Sequence, residues 1–404
     1  MSSSVSAEPL LAPLRPQRFI VAIALALFAA GAIALSAYGW QQSILFLVGG
    51  LLGLTLYHSS FGFASAYRKL LVHRDGRGVS AQVIMLAIAT VLFAPTLAAG
   101  TVFGQDVRGA VSPIGVQGAI GAFLFGIGMQ LGGACGCGTL YVVGSGSLTL
   151  LTTLITFCLG AFGASLTRQF WAGLPALPAL SLVTTLGWFW AVVLQLALLA
   201  LLFLALQRLP KASVPSSTRP IALSPSPPLL PTSLAQLIHG PWSLLTGAIA
   251  LAVLNWLTLI LSGQPWRITW GFALWAAELA SFLGWDSTSS PFWQTPNAQA
   301  ALANGVLADV TSVMNGGILL GALLAAALAG RLVPTFQPSK PILAAAILGG
   351  LLMGYSAFLA YGCNVSGFFG AIASTSLHGW LWIGSALLGT AIGVRLRPLF
   401  HLPN

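Results

Sequence analysis

Charged side chains are scarce in this chain of 404 residues. Asp, Glu, Lys and Arg together make up 5% of the sequence, whereas about 25% is usual for a soluble domain. Hydrophobic residues make up 57% of it, and the mean hydropathy is +0.92. This balance excludes an ordinary soluble enzyme and predicts a protein of the lipid bilayer.

Acidic residues are the scarcer of the two charge classes, with 6 Asp and Glu against 16 Lys and Arg. A basic protein that binds nucleic acid needs its Lys and Arg clustered on a surface that faces water. Here they stand singly between apolar runs, which is typical of short loops between membrane spans. We therefore predict a lipid environment and no nucleic-acid partner.

Cysteine is also rare, and Cys135, Cys137, Cys158 and Cys363 all lie in apolar surroundings. Because the loops contain none, a disulfide framework is not expected. Zinc needs about four ligands, but the histidines are scattered and no Cys and His pair has finger-like spacing. The sequence thus predicts neither a metal nor a cofactor.

Long apolar runs dominate what is present, and a span needs about 20 such residues. The first run, from Phe19 to Tyr38, has no cleavage site after it, so it predicts a retained helix. The predicted spans are 18-39, 42-58, 80-103, 114-134, 148-167, 181-207, 241-262, 303-330, 341-361 and 379-395.

Four further apolar segments are too short, or too interrupted by glycine and polar residues, to cross the bilayer alone. They are 60-72, 136-147, 268-284 and 365-376. Lipid tolerates such broken helices only where protein or a water-filled cavity covers the free backbone groups. We therefore predict an all-α polytopic membrane protein with about ten transmembrane helices and four short broken or re-entrant helices.

Basic residues fix the predicted orientation, because loops on the cytoplasmic side carry an excess of Lys and Arg. With both termini in the cytoplasm, only Arg108, Arg168 and Arg267 fall outside. The residues then inside are Arg15, Arg18, Arg68, Lys69, Arg74, Arg77, Arg208, Lys211, Arg219, Arg331, Lys340, Arg395 and Arg397.

A Pro-rich polar stretch from Pro210 to Ser233 separates two halves of the chain. Such a stretch cannot pack as a helix and predicts a cytoplasmic linker. The predicted organisation is an N-terminal tail with the first helix over 1-40, a membrane repeat over 41-207, the linker over 208-240 and a second membrane repeat over 241-404.

An internal repeat relates the two halves. A shift of 228 residues lays 119-139 on 346-367, so that Gly126 meets Gly354 and Cys135 meets Cys363. A shift of 209 residues matches Gly62-Phe63-Ala64 with Gly271-Phe272-Ala273. The spans before the two cysteines run in opposite directions in the predicted topology, so the repeats are inverted and the architecture is expected to be hourglass-like, as in secondary transporters.

Cys135 and Cys363 each precede a short helix. The free N-H groups and positive dipole of a helix start suit an anion, and a thiol is a weak donor and polarizable acceptor, which suits a sulfur-containing one. The candidate pathway residues are Cys135, Cys363, Cys137, Gly133, Gly136, Gly138, Gly362, Asn364 and Glu278.

Other polar residues support weaker predictions. Cys137 has Val365 as its repeat counterpart, so its role stays open, while Cys158 is expected to pack as a small hydrophobic residue. Asp309 is expected to cap a helix. His58 and Arg267 match in the 209-residue register, where either could attract an anion or anchor the chain at the interface.

The sequence resembles the YeeE/YedE family of sulfur-transport membrane proteins. The resemblance rests on 61-78, 131-147, 270-279, 309-331 and 349-398, of which the last, with its recurring Gly, Cys, Asn, His and Trp, is the most specific.

The resemblance implies import of thiosulfate across the bacterial inner membrane, relayed by the thiols of Cys135 and Cys363. It also implies a cytoplasmic acceptor of the TusA or rhodanese type. Some thiosulfate importers have a further cysteine in the first broken segment, where this chain has Gly62; another sulfur oxyanion, or a selenium analogue, fits the same chemistry. A membrane thiol enzyme that handles sulfane sulfur and an assembly subunit without flux are the alternatives.

Overall fold

A computed structural model of the protein describes residues 15-209, 230, 233-336 and 339-404. Most of the predicted linker over 208-240 lies outside the described residues. The described residues are mostly helical, as the composition predicts. The helices are α1 (Arg18–Leu35), α2 (Trp40–Ser59), α3 (Phe63–His73), α4 (Arg77–Ala99), α5 (Val116–Leu131), α6 (Gly136–Gly144), α7 (Leu148–Thr167), α8 (Leu182–Leu186), α9 (Trp188–Gln207), α10 (Leu234–His239), α11 (Leu244–Ser262), α12 (Thr269–Phe282), α13 (Pro296–Asn304), α14 (Val310–Leu328), α15 (Lys340–Leu359), α16 (Ala371–Ala373) and α17 (Leu377–Leu396).

Shorter elements occupy the connections. A π-helix covers Asn364–Gly370 and continues into α16, and 3-10 turns follow several helices. The 3-10 turns are Ser36–Tyr38, Arg168–Trp171, Ser287–Ser289 and Arg397–Phe400. Two antiparallel pairs of two-residue strands lie in loops: β1 (Thr101–Val102) with β2 (Gln105–Asp106), and β3 (Ile114–Gly115) with β4 (Ala176–Leu177).

Ten helical stretches in the described residues are long and apolar enough to cross a membrane, and each corresponds to one predicted span. The chain is therefore a multi-pass membrane protein with an all-α fold, as predicted. Because ten is an even number, we expect both ends of the described chain on one face of the bundle, which we call the terminal face. The opposite face is called the far face.

The boundaries of two predicted spans are wrong. The span predicted over 303-330 begins at Val310, because Gly305 ends α13 and the Asp309 side chain accepts a hydrogen bond from the backbone N-H of Ser312 as a helix cap. The span predicted over 181-207 is interrupted at Gly187, whose φ of 77° ends α8. The capping role predicted for Asp309 is confirmed.

All four short segments are helices, as predicted. They are α3, α6, α12 and the π-helix with α16, and all four begin inside the bundle rather than at its surface. Gly271 is the third residue of α12, while its repeat match Gly62 caps α3.

Helices of the two halves pack mainly against each other. α2 packs on α14 and α4 on α11, and in the same way α5 packs on α17 and α7 on α15. Each of these pairs joins a helix of residues 41-207 to a helix of residues 241-404. In the described residues, the main core is therefore shared between the halves.

Glycines bring the paired helices into backbone contact. A Cβ placed on Gly354 of α15 would overlap the carbonyl oxygen of Phe157 of α7, and a Cβ on Gly126 of α5 would overlap that of Ala386 of α17. Gly126 and Gly354 are the glycines that the 228-residue repeat matches. Small residues at such crossings allow the close packing on which helix association in lipid depends.

We predict that Gly354→Ala and Gly126→Ala each lower the free energy of unfolding by about 1–3 kcal/mol, because the new methyl group must push two helices apart. Denaturant unfolding in detergent measures the effect. Gly163→Ala on α7 is the matched control, since no atom lies within 4 Å of its Cβ position. A loss of stability in the control equal to that in the other two would contradict the assigned crossings.

Candidate functional site

Four helix starts meet at the centre of the bundle. The residues that precede them are Gly62, Cys135, Ile268 and Cys363. A Cβ placed on Gly136 would lie 3.3 Å from the Cys363 Sγ and 3.6 Å from the Ile268 Cγ2. These four caps, with the buried side chains in the first two turns of the helices that follow them, are called the waist.

Cys135 and Cys363 have nearly the same backbone geometry. Their φ and ψ angles are −84° and −174° for Cys135 and −90° and −166° for Cys363. The Cys135 carbonyl oxygen accepts a hydrogen bond of 2.7 Å from the Thr139 N-H, and the Cys363 carbonyl oxygen accepts one of 2.7 Å from the Gly367 N-H. The two halves thus place a thiol at the same position of a helix start, although the two helices start differently, one as α and the other as π.

Backbone groups at helix starts lie near each of these thiols. The backbone of Phe63 and of Gly138 lies near the Cys135 sulfur, so the starts of α3 and α6 both adjoin it. The backbone of Val365 and of Ser366 lies near the Cys363 sulfur. These groups belong to the first turns of helices, where no intrahelical acceptor exists, so the waist presents several donors to a negative charge.

Cys137 adds a third sulfur to the waist. Its Sγ lies 3.4 Å from the Cys135 Sγ, and the side chains of Cys135, Cys137 and Cys363 are 1%, 0% and 0% exposed. Cys158 lies apart from them, half-buried on α7. The structure therefore brings three of the four cysteines together and separates the one predicted to pack as a hydrophobic residue.

Tyr67 is a waist residue that the sequence did not reveal. Its phenol oxygen lies 3.5 Å from the Asn364 Nδ2, and both side chains are fully buried. The Asn364 Oδ1 has no hydrogen-bond partner among the residues that the structure describes. Tyr67 lies one helical turn after Phe63 on α3, and only its helical spacing from Gly62 could have pointed to it.

Of the remaining predicted pathway residues, the four glycines lie close to Cys135 or Cys363, whereas Glu278 lies on α12. Gly136 and Gly138 lie in the first turn of α6, and Gly362 directly precedes Cys363 with a φ of 146° that favours glycine. Gly133 lies in the bend before Cys135 with a φ of 85°. Glu278 is half-buried on α12 and lines neither of the two cavities described next.

Two cavities approach the waist from opposite faces. The far cavity, of about 1000 Å³, reaches Gly362 and Ser366 on either side of Cys363. The terminal cavity, of about 870 Å³, reaches Ser60 and Tyr141 close to Gly62. The buried thiols lie between them, so the structure is a closed hourglass.

The two cavities differ in their side chains. His58 lines the terminal cavity, where its Nε2 lies 3.1 Å from the Ile238 carbonyl oxygen and its ring lies 5.5 Å from that of Trp242. Asp309 lines the far cavity, and burial raises the pKa of its carboxyl group while hydrogen bonds from Ser312 and Trp270 oppose that rise. Because the His58 ring contacts Ile238 and Trp242, it anchors the chain and is not a free anion-binding group.

The described residues contain no cluster of metal ligands. Within residues 15-209, 230, 233-336 and 339-404, no group of three or more His, Cys, Asp or Glu is arranged to hold an ion. The waist instead offers sulfur, hydroxyl and backbone N-H groups, which can form hydrogen bonds with an anion.

Comparison with known proteins gives a consistent picture. A family model described as sulphur transport matches residues 58–392. The thiosulfate transporter TsuA of Spirochaeta thermophila is 26% identical over 350 residues, which cover 83% of this chain and 92% of that protein. The probable transporter YedE of Escherichia coli is 27% identical over 164 residues, which cover 40% of each chain. These relatives are named as transporters, in agreement with the prediction that the chain is not an enzyme.

The closed waist makes a testable prediction about thiol reactivity. Because buried thiols react slowly, we expect Cys135, Cys137 and Cys363 to resist a bulky maleimide in the folded protein. Cysteines introduced as Asn304→Cys in the far cavity and Ser145→Cys in the terminal cavity should react rapidly. Mass spectrometry of labelled peptides measures both, and equal labelling of waist and cavity thiols would show that the waist is open.

Proposed function

The chain belongs to the sulphur transport family, and we propose that the sulfur compound it carries is thiosulfate, imported through the waist into the cytoplasm. In this proposal the far face is the outer side of a bacterial inner membrane. The terminal face, with both termini, is cytoplasmic. The excess of Lys and Arg in loops of the terminal face supports this orientation.

One observation carries the proposal: two repeat-matched thiols stand at helix starts between two cavities that open on opposite faces. A charged anion loses much hydration free energy in an apolar interior. Free N-H groups at the starts of α3, α6 and the π-helix replace part of that hydration. The waist therefore lowers the barrier for an anion at the narrowest point of the route.

The thiols select for sulfur in this mechanism. An anion that enters from the far cavity first meets Cys363, whose S-H donates a weak hydrogen bond to its terminal sulfur. It then passes to Cys135, and the sulfur of Cys137 lies close enough to take part. No covalent bond forms, and each step exchanges one weak hydrogen bond for another. Asn364 and Tyr67 offer polar groups beside the same route.

The organisation of the chain and its partner belong to the same proposal. We propose that residues 41-207 and 241-404 act as two inverted repeats that share one route, joined by a cytoplasmic linker over 208-240. A TusA-like or rhodanese-like protein is the proposed acceptor of the sulfur at the cytoplasmic face. The family resemblance supports this partner.

Replacement of the matched thiols tests the relay. We predict that Cys135→Ala and Cys363→Ala each reduce thiosulfate uptake into proteoliposomes about tenfold or more, because each removes a hydrogen bond to a charged species at a desolvated point. Cys158→Ala is the matched control and should transport like the wild type. Uptake of labelled thiosulfate measures all three, and wild-type flux in both waist variants would refute the relay.

A membrane thiol enzyme is the second candidate function, favoured by the short distance between Cys135 and Cys137. Such an enzyme would leave sulfane sulfur on a cysteine during turnover. We predict that intact-mass analysis after incubation with thiosulfate shows the unmodified chain, and that the internalised label is still thiosulfate. A persulfide adduct on Cys135, Cys137 or Cys363 would favour the enzyme instead.

A further inference from the structure

The far cavity contains three arginines. Arg108, Arg168 and Arg267 line it from three separate segments of the chain. They are also the three basic residues that the topology places on the far face. Arg108 lies near the Asp106 carboxylate, so Arg168 and Arg267 supply the net positive charge of this cavity, beside the single carboxylate of Asp309 in its lining. A lining with net positive charge raises the local concentration of an anion.

Among the described residues, two of these arginines form no ion pair, although the charge of the Asp309 carboxylate acts on Arg267 from beyond ion-pair distance. Arg108 lies 3.7 Å from the Asp106 carboxylate at an exposed position. In the described part of the chain, neither Arg168 nor Arg267 has a carboxylate oxygen within 4 Å; the Arg168 guanidinium lies 5.4 Å from the centre of the Phe292 ring. Arg168 and Arg267 are therefore available to a ligand.

Arg267 lies beside the waist. It directly precedes Ile268, whose side chain adjoins the Gly136 position next to Cys363. Its neighbour Trp266 is buried, and the Trp266 N-H donates a hydrogen bond of 2.8 Å to the Asn255 Oδ1. The backbone is thus fixed, while the Arg267 side chain is exposed to the cavity.

Arg168 comes from the other half of the chain. It begins the 3-10 turn after α7. Its charge acts on the phenol of Tyr361, which is the residue directly before Gly362. The Asp309 carboxylate lines the same cavity, but its oxygens already accept hydrogen bonds from the Ser312 N-H and the Trp270 Nε1-H. That carboxylate does not neutralise both arginines.

We propose that Arg168 and Arg267, which line the same cavity from the two halves of the chain, form an oxyanion-binding site outside the waist. Guanidinium groups present paired N-H donors that match the oxygens of a tetrahedral oxyanion, and two of them balance a double negative charge. The ligand class is therefore a divalent tetrahedral oxyanion, such as sulfate or the sulfonate end of thiosulfate. The link of this site to import rests on the proposed function.

The site has a consequence for selectivity. Arginines recognise oxygen and charge, which sulfate and thiosulfate share, whereas the waist thiols recognise terminal sulfur. Sulfate is therefore expected to occupy the outer site without passing the waist, and to inhibit thiosulfate uptake competitively. Uptake of labelled sulfate itself should stay at the level of protein-free liposomes.

Calorimetric titration of sulfate and of thiosulfate into the purified full-length protein tests the site. We expect Arg267→Gln and Arg168→Gln each to weaken binding of both anions about tenfold, with binding to the wild type also weakening as salt is added. Arg108→Gln is the matched control, because Arg108 is exposed and already near a carboxylate, and should bind like the wild type. Arg267→Lys keeps the charge but loses the paired donors, so its affinity should fall between those of the wild type and Arg267→Gln.

A double variant, Cys135→Ala with Cys363→Ala, separates this proposal from the relay. Its affinity for sulfate should equal that of the wild type even if uptake is lost, because the outer site does not include the thiols. The outer site is therefore tested independently of the relay. Thermal unfolding of each variant confirms its fold, and Arg267→Lys substitutes for Arg267→Gln if the latter does not fold. Wild-type sulfate affinity in the folded Arg168 and Arg267 variants would overturn the proposal, as would an equal loss in Arg108→Gln.

Discussion

The constraint on which this structure depends is the cost of an unpaired backbone group inside a membrane. A helix that starts at mid-depth leaves several N-H groups without acceptors, and lipid offers none. Four helices of this protein start there, and the protein encloses all four starts between two cavities. In the proposed mechanism, the same donors that would be costly against lipid stabilise the charged substrate as it passes. The proposed function and the packing thus follow from one arrangement.

Apolar length was enough to predict the ten spans, because a run of about 20 hydrophobic residues has no other stable environment. Glycine and polar interruptions likewise predicted the four short helices, and the match of Cys135 with Cys363 predicted which helix starts carry thiols. Tyr67 could not be predicted in this way, since one tyrosine on an apolar helix carries no periodic signal. The π-helix after Cys363 is held by tertiary contacts that the sequence does not show. The Trp382 ring stacks on Phe368, and the Trp382 Nε1-H donates a hydrogen bond to the Gly362 carbonyl oxygen.

Charge and sulfur divide the work of recognition in the proposed mechanism. Arg168 and Arg267 lie where water still enters, so their contribution is attraction and orientation of an oxyanion. Cys135 and Cys363 lie where water is excluded, so weak hydrogen bonds matter there more than in solution. Neither set would serve in the place of the other, because a guanidinium in the narrow waist would hold a dianion too tightly to release it.

The packing of each half on helices of the other half also affects how the protein assembles in the membrane. Translation delivers residues 41-207 to the bilayer before residues 241-404 exist, and the surfaces on which α2, α4, α5 and α7 will pack arrive only with the later helices. Until then, the glycine-rich sides of these early helices contact acyl chains or one another. Insertion is therefore sequential, whereas assembly is complete only when the last helix, α17, has entered the membrane beside α5.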